Sequence, residues 1–400
     1  MKKLALALPL LSFLFVDSAF TFTDKDHLAD RTRESVQTDT SLVVSQNLNM
    51  GIPRVQLYPG TVYSSYSFSD NLFSLLPAGY EDHINSFHLP KGFMVVFAEN
   101  NDGTGESACF VASQSAINAN LPARLRNNIS YIRYMRINNP FKKGMDAVNS
   151  NSVTQSAVQW YYGWSFNKPS FAGQQFVPMT WGRPNCNTQS IKYLIDRKDI
   201  DHLLSFNEPD NKTQSNIEDI DTAIAAYQSM QLTGLRLGSP ALRQEQAFGE
   251  GRWLPRFMLK AKEKNVRVDF IAVHWYDWGN QNNNKETDAL TAKAVFERFV
   301  VYIQKVHSAY PALPIWVTEY NANPKRTSEE IHKNFMQLST EWMNAQDYIE
   351  RYAYFFPKAL PDINPDNTST TIGKYWKDLT ATKSFNQNIN ADAVMIKGKK

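Results

Sequence analysis

The chain has 400 residues, which exceeds one average domain, so two domains are the first expectation. Its formal net charge of +3 comes from 42 basic and 39 acidic residues dispersed along the sequence, which excludes the basic stripe of a nucleic-acid-binding protein. Cys109 and Cys186 are its two cysteines, so the chain is not a disulfide framework, and either one disulfide or two buried thiols is open.

Residues 1–19 have the layout of a secretory signal peptide. A basic Met-Lys-Lys start precedes an apolar run of 13 residues from Leu4 to Val16, and small residues follow at Ser18 and Ala19. Such a run is shorter than the roughly 20 residues that span a bilayer, and the alternatives are an uncleaved anchor or a lipid-surface segment. We therefore expect a protein that is secreted, periplasmic or at the cell surface, with no transmembrane segment after signal removal.

An internal repeat follows a polar leader or linker at residues 20–45. Leu-Pro-Ala occurs at residues 76–78 and again at 121–123, an offset of 45 residues that Ile84 and Ile129 share. Each copy carries a β-rich stretch and a glycine-marked loop without a helical period. A β unit that cannot bury its face alone needs a partner, so the repeat predicts one small all-β sandwich over residues 46–138.

The second half of the chain alternates apolar strands with helical patterns, after a polar, asparagine-rich segment at 139–154 that predicts an interdomain linker. Its apolar segments recur at intervals of about 30 to 45 residues, the length of one βα unit. They fall at residues 157–165, 175–181, 203–206, 235–239, 270–274, 315–318 and 351–356.

Repeated βα units imply a parallel sheet. We therefore predict a multidomain chain in which a (β/α)8 TIM barrel at residues 155–385 follows the Greek-key sandwich. The pattern shows seven of the eight strands that a barrel needs. The eighth is expected before Leu203, and residues 386–400 are expected to form a polar tail.

Two glutamates stand at the carboxyl ends of predicted strands. The apolar run at 203–206 ends in Asn207, Glu208 and Pro209, where proline forbids further ladder pairing. A second apolar strand delivers Glu319, 111 positions after Glu208. Alone, each would be taken for a solvated or capping residue. Together they indicate catalysis, because strand ends of a parallel barrel share one mouth and paired carboxylates can cleave a glycosidic bond.

The motifs, in their order and spacing, resemble glycoside hydrolase family 128. They lie at residues 160–164, 176–182, 206–210, 272–276, 316–320 and 351–355. The resemblance covers about residues 157–380. It implies a retaining endo-acting enzyme on β-1,3-glucan that requires no cofactor for catalysis, with Glu208 as acid/base and Glu319 as nucleophile.

Other residues near these strand ends are expected to bind the polysaccharide substrate. Asn207 is expected to hydrogen bond a sugar hydroxyl or, alternatively, to make a turn bond before Pro209. His274 is either a mouth residue or a satisfied wall residue, and Tyr276 is expected to hydrogen bond the nucleophile. Aromatic side chains can stack on sugar rings, and two or three of four are expected to do so. These four are Trp164, Trp181, Trp278 and Tyr320.

The predicted sandwich resembles the paired Greek-key repeats of the βγ-crystallins at residues 81–86 and 126–131. The calcium-binding form of that family has two adjacent Asp or Asn residues and a Ser/Thr-Ser pair in each such hexapeptide. Glu81 and Arg126 replace the first of these positions, and Tyr131 replaces the second serine. The resemblance implies either a Ca²⁺ site in this domain or a non-binding sandwich that packs on its neighbour.

Two alternatives belong to other functional classes. One is a carbohydrate-binding or cell-surface interaction protein whose barrel only holds glycan, although binding alone needs no matched pair of acids. The other is a calcium-stabilised envelope protein dominated by its N-terminal repeat. The sequence contains no zinc-protease motif, serine elbow, phosphate loop or dinucleotide fingerprint.

Overall fold

The computed structural model describes residues 80–147, 149–171, 173–384 and 388–389, together with the backbone of three earlier strands. The predicted signal peptide at 1–19 and leader at 20–45 lie outside the described residues, as does most of the predicted tail at 386–400. The described residues belong to one compact unit that spans residues 48–400. Within them, every helix is too short or too polar to cross a bilayer.

Antiparallel strands come first in the described part of the chain. They are β1 (Val55–Pro59), β2 (Tyr66–Phe68), β3 (Phe73–Leu75), β4 (Ile84–Leu89), β5 (Phe93–Ala98), β6 (Ser107–Ala112), β7 (Ile117–Asn120) and β8 (Tyr131–Arg136). They form two four-stranded sheets, ordered β2-β1-β4-β7 and β3-β8-β5-β6. Each sheet therefore takes three strands from one half of the repeat and the third strand of the other half.

The sequence repeat is also a structural repeat. Asp82 and Asn127, 45 positions apart, both have a left-handed backbone with φ of 57°. Their amides make reciprocal bonds: Asp82 N–H donates to Ile129 O and Asn127 N–H donates to Ile84 O, each at 3.0 Å. The two hexapeptides thus join the halves of the repeat through backbone hydrogen bonds.

A parallel sheet follows, as the sequence predicts. Its strands are β9 (Lys143–Asp146), β10 (Trp160–Tyr162), β11 (Gln175–Phe176), β12 (His202–Leu203), β13 (Arg236–Leu237), β14 (Ile271–Tyr276), β15 (Ile315–Asn321) and β16 (Ile349–Tyr354). Six of them pair in the order β11-β10-β9-β16-β15-β14, and β12 pairs with β13. Parallel bridges link Met179 to Leu204, between β11 and β12, and Gly238 to Phe270, between β13 and β14.

Helices separate these strands along the chain. They are α1 (Ser150–Ser156), α2 (Thr188–Asp196), α3 (Ile220–Gln231), α4 (Trp253–Glu263), α5 (Asp288–Ala309), α6 (Glu329–Ala345) and α7 (Thr371–Asp378). Short 3-10 turns occur at Arg183–Cys186 and Gln244–Gln246. Cys109, buried in β6, and Cys186 are free thiols. Of the two alternatives, one disulfide or two thiols, the structure has two thiols.

Alternation along the parallel strands sorts side chains between two cores. Trp160 and Tyr162 belong to a small inner cluster with Trp316, whereas Tyr161 belongs to the larger core shared with the helices. Gly144 faces the inner cluster, because a Cβ placed there would lie 2.2 Å from the Trp160 ring. The inner core thus requires a residue without a side chain in the middle of β9.

The predicted linker at 139–154 is wrong, because it contains β9 and α1, and β9 lies between β10 and β16 in the sheet. The segment does not stand out as an apolar strand, because it begins with two lysines, which are buried in the fold. Lys142 Nζ donates to Met343 O (3.0 Å) and Lys143 Nζ to Trp376 O (2.9 Å). Both ammonium groups bind carbonyls in the last turn of a helix, α6 for Lys142 and α7 for Lys143, where carbonyls lack a partner in the regular helical pattern. The missing strand expected before Leu203 is therefore β9.

The sheet that contains β5 and β6 is buried on both faces, since all six residues of each strand are buried. Val95 and Phe97 point into the core of the antiparallel part. Met94 and Val96 point the other way, into the core that the helices and parallel strands share. The two parts of the molecule are therefore joined by a continuous apolar contact.

Hydrogen bonds show which end of the parallel sheet the antiparallel part contacts. The Arg133 guanidinium donates to Thr233 O and, at 3.0 Å, to Arg197 O. Both carbonyls lie in loops that enter the amino ends of parallel strands, which begin at His202 and Arg236. At the other end of the chain, Ile389 exchanges two 3.0 Å backbone hydrogen bonds with Val111 of β6. The antiparallel part thus covers the end of the parallel sheet opposite to its carboxyl ends.

Candidate active site

Both predicted glutamates lie at carboxyl ends of parallel strands. Glu319 is in β15, and Glu208 follows β12 by five positions. The Glu208 N–H donates to Ala241 O at 2.7 Å, which extends the pairing of β12 with β13. Glu208 has a left-handed backbone (φ 40°), which turns the chain at this strand end. One oxygen of each glutamate and a nitrogen of His274 all lie within 4.8 Å of one another.

His274 lies between the two acids. It is 1% exposed, its Nδ1 is 3.2 Å from Glu208 Oε1, and its Nε2 is 3.5 Å from Glu319 Oε1. Burial alone would lower the pKa of His274, but the charge of Glu319 and the hydrogen bond and charge of Glu208 outweigh burial and raise the pKa above 6.5. A protonated imidazole can therefore serve both carboxylates.

Hydrogen-bond donors converge on the Glu319 carboxylate. Tyr276 OH donates to Oε2 at 2.5 Å, as expected, and Trp164 Nε1–H donates to Oε1 at 2.9 Å. Tyr162 OH lies 3.3 Å from Oε1 and 3.0 Å from Thr318 O, so its one proton serves both acceptors. Burial and then the charge of Glu319 raise the pKa of both tyrosines well above 10, so they remain donors. This arrangement suits a charged carboxylate, which only accepts hydrogen bonds.

Glu208 has a different environment. Its side chain is 14% exposed, and Asn211 Nδ2–H donates to its Oε2 at 2.9 Å. Burial alone would raise the pKa of Glu208, but the hydrogen bond and charge of His274, together with Asn211, lower the pKa below 4.5. Arg243 pairs with Asp210 at 2.8 Å and holds the loop that follows. The two acids are thus distinguished by donor set and exposure.

Asn207 points into its own loop. Its Nδ2–H donates to Gln214 Oε1 at 3.0 Å, and its Oδ1 is buried without a hydrogen-bond partner among the described residues. Its backbone N–H bonds Trp181 O at 2.9 Å. The predicted contact with a sugar hydroxyl stays a prediction, and Oδ1 is the atom left to make it.

Three of the four predicted aromatic residues are at least partly exposed. Trp164 and Trp181 are half-buried, and Trp278 is 47% exposed. The Trp278 ring lies 5.6 Å from that of Tyr276, and both line a pocket of about 210 Å³. Phe355 packs against Trp164 and Tyr276 at 6.0 and 5.8 Å, and adds an aromatic wall that the sequence did not suggest.

The predicted sugar contact of Tyr320 is wrong. Tyr320 is fully buried and packs on Phe299 of α5 (5.4 Å) and Phe335 of α6 (5.9 Å). Successive residues of a strand face opposite sides. Because Glu319 faces the other acid, Tyr320 faces the helices.

Two further residues of the site were missed. Tyr162 could have been found from the strand period, since it lies two positions after Trp160 on the same face. Asn211 lies three positions after Glu208, in a loop that carries no such period. Its hydrogen bond to Glu208 is visible only in the folded structure.

The described residues contain one group of three acids or histidines close enough to hold a metal ion, and it is Glu208, His274 and Glu319. Among them, His274 Nδ1 is within hydrogen-bond distance of Glu208 Oε1, whereas His274 Nε2 has no hydrogen-bond partner among the described residues. The hexapeptides at 81–86 and 126–131 supply no such group within the part described. The Ca²⁺ site of the N-terminal domain stays a prediction, and it would have to use amide, hydroxyl or backbone oxygens.

Comparison with known proteins identifies the family. The family model of the glycosyl hydrolase catalytic core matches residues 137–382. A mutant of a GH128 (subgroup I) endo-β-1,3-glucanase from Amycolatopsis mediterranei in complex with laminaripentaose is 29% identical, with a TM-score of 0.52, over 60% of this chain and 99% of that chain. The same enzyme in complex with laminaritriose is 30% identical, with a TM-score of 0.50, over 59% of this chain and 98% of that chain.

A search of curated proteins gives no match. The family model covers more than half of the chain, and the solved relatives are covered almost completely. The sequence motifs predict the same family. The chain belongs to the glycosyl hydrolase catalytic core family and to GH128.

Proposed function

We propose that this chain is a retaining glycoside hydrolase that cleaves internal linkages of β-1,3-glucan. The observation that carries the proposal is the approach of Glu208 and Glu319 oxygens to within 4.8 Å at one end of the parallel strands. Retaining enzymes hold their carboxyl groups about 5 Å apart, whereas inverting enzymes need roughly 6.5–9.5 Å to admit a water molecule. The short separation supports direct attack by one carboxylate.

Glu319 is the nucleophile in this proposal. The donors from Tyr276, Trp164 and Tyr162 hold its carboxylate in one orientation. One oxygen attacks the anomeric carbon, and the bond from that carbon to the leaving oxygen breaks. The product of this step is a glycosyl ester on Glu319.

Glu208 supplies the proton to the leaving oxygen. In the free protein His274 lowers the pKa of Glu208, so the proton shared by this pair resides on the imidazole. A bound sugar removes water from the Glu208 side chain, which penalises its charge and draws the proton across the 3.2 Å contact. Glu208 then donates that proton, and as a carboxylate it later deprotonates the water that hydrolyses the ester.

The substrate class is supported by the relatives and by the aromatic residues. Laminaripentaose and laminaritriose are bound by the similar GH128 enzyme, which is named an endo-β-1,3-glucanase. Trp164 donates to Glu319, and the Trp278 ring lies 5.6 Å from that of Tyr276. The Trp181 carbonyl accepts from the Asn207 N–H, so all three indoles adjoin residues of the site, which suits stacking on sugar rings. We propose endo action on this basis.

We also propose the architecture that the sequence predicts in finer detail. The bridges at Met179–Leu204 and Gly238–Phe270 support closure of β9 to β16 into a (β/α)8 barrel, because each strand then has two neighbours. The exchange of a third strand between the two antiparallel sheets supports a βγ-crystallin-like Greek-key domain. Secretion rests on the signal layout of residues 1–19.

The test is hydrolysis of β-1,3-, β-1,4- and mixed-linkage glucans, with reducing sugar, product length and the first anomer formed as readouts. We expect β-1,3-glucan to yield a range of oligosaccharides with the β anomer first. Glu208→Gln and Glu319→Gln should fold but lose about 10³-fold or more in kcat. Glu218→Gln is the control, since that carboxylate is 66% exposed on the same loop.

Two outcomes would contradict the proposal. A wild-type protein that binds β-1,3-glucan without cleaving it would favour the carbohydrate-binding alternative. Release of the α anomer would exclude retention.

A further inference from the structure

A third carboxyl group, that of Asp146, lies at the level of the two glutamates. Asp146 ends β9, and its Cα pairs with that of Tyr162 in β10. Gly144 faces the Trp160 ring of the inner cluster. Because alternate residues of a strand share a face, Asp146 faces the same interior, one layer nearer the carboxyl end.

This carboxyl group is buried and incompletely bonded. Asp146 is 8% exposed, and its Oδ2 is buried without a hydrogen-bond partner in the described part of the chain. A buried polar atom without a partner costs free energy, and a catalytic or binding role is one explanation for keeping it. None of the steps assigned to Glu208 and Glu319 uses Asp146.

The titratable groups that face Asp146 come from four elements. They are Glu319 of β15, Asp362 of the loop before α7, Tyr162 of β10 and Tyr276 of β14. Burial, and then the negative charges of Glu319 and Asp362, raise the pKa of Asp146 well above 3.8. This shift favours the protonated form of Asp146, which can donate a hydrogen bond and does not repel Glu319.

We propose that Asp146 is a substrate-binding residue whose carboxyl O–H donates to a hydroxyl group of the glucosyl unit that Glu319 attacks. The assignment rests on the proposed function. The hydroxyl proton of Tyr276 is already given to Glu319, and that of Tyr162 to Thr318 O and Glu319. Asp146 is the neighbouring group that keeps a donor for the ligand.

Two variants separate this role from a structural one. Asp146→Leu keeps the volume and removes both oxygens, so kcat/KM on laminari-oligosaccharides should fall about 10- to 100-fold. Its unfolding temperature should stay the same or rise, because an apolar isostere has no buried polar atom to satisfy. Asp146→Asn still donates, and it should restore kcat/KM to within about fivefold of the wild type.

The control is Asp366→Asn, an exposed carboxylate of the loop before α7. An Asp146→Leu protein as active as the wild type would overturn the assignment, and so would equal losses in the Leu and Asn variants. If Asp146→Leu does not fold, Asp146→Ala replaces it with the same expectation for kcat/KM. Failure of the wild type to bind or cleave β-1,3-glucan would instead reject the proposed function and, with it, the sugar ligand.

Discussion

His274 lies between the two catalytic candidates: Nδ1 is 3.2 Å from a Glu208 oxygen and Nε2 is 3.5 Å from a Glu319 oxygen. Glu319 and Glu208 raise the pKa of His274, against the opposing effect of burial. Protonated His274 therefore stabilises the fold below about pH 6.5, and this stabilisation is lost as pH rises through the raised pKa. The lowered pKa of Glu208 acts in the opposite sense. Its stabilisation is present above about pH 4.5 and is lost as pH falls through the lowered pKa.

Replacing His274 should change the pH dependence of activity. In the wild type, kcat/KM should fall as pH rises above 6.5, through the raised pKa of His274, because the proton for the leaving oxygen is shared with that ring. In His274→Gln the proton belongs to Glu208 alone, so the alkaline fall should move to lower pH. A pH–rate profile of both proteins checks this, and an unmoved alkaline limb would contradict the shared proton.

Tyr276 should matter more for turnover than for binding. Its hydroxyl is 2.5 Å from Glu319 Oε2, so Tyr276→Phe removes a charge-assisted hydrogen bond from the nucleophile. We expect kcat to fall about 10- to 100-fold with KM nearly unchanged. Tyr193→Phe, on the exposed surface of α2, is the control. Unchanged steady-state kinetics in Tyr276→Phe would refute this role.

At the scale of elements, the sequence predicts strands well where an apolar run ends sharply in polar residues, as at Glu208 and Glu319. It fails for β9, whose four residues include a lysine and an aspartate and which Lys142 precedes. Those lysines are stable inside only because helices distant in sequence offer carbonyl groups. The predicted sugar contact of Tyr320 was wrong for another reason. Its position at a strand end suggested that it lines the site, but successive strand residues face opposite sides, and Glu319 is the one that faces the site.

Strand β9 should tolerate no side chain at Gly144. A Cβ there would lie 2.2 Å from the Trp160 ring, so Gly144→Ala forces the inner cluster apart and should cost about 1–3 kcal/mol of unfolding free energy, or more. Urea unfolding measures this cost. Gly182→Ala is the matched control, because its nearest atom would be 3.2 Å away. Equal unfolding midpoints for Gly144→Ala and the wild type would contradict the packing described for β9.

At the scale of the whole molecule, the apolar contact through β5 and β6 makes the two parts interdependent. The sequence predicts an all-β part and a βα part, yet it places a linker where the chain continues directly into the sheet. The interface was not predictable, because β5 alternates between two cores and reads as one uniformly apolar strand.

Unfolding should therefore be a single transition. Met94→Ala removes a side chain that faces the shared core, and we expect it to lower the unfolding free energy by about 2–5 kcal/mol and to lower the temperature at which activity is lost. Leu259→Ala, 71% exposed on α4, is the control. Calorimetry that resolved two transitions, with activity following only one, would show independent parts.

The pairing of Ile389 with Val111 has a practical meaning for protein engineering. The polypeptide leaves the antiparallel part after β8, forms the parallel sheet and its helices, and then returns to pair with β6. Fusing the parallel half to another protein would cut the backbone near residue 139 and would break the pairing of Ile389 with Val111. The segment to transfer is therefore both halves together, up to and including Ile389.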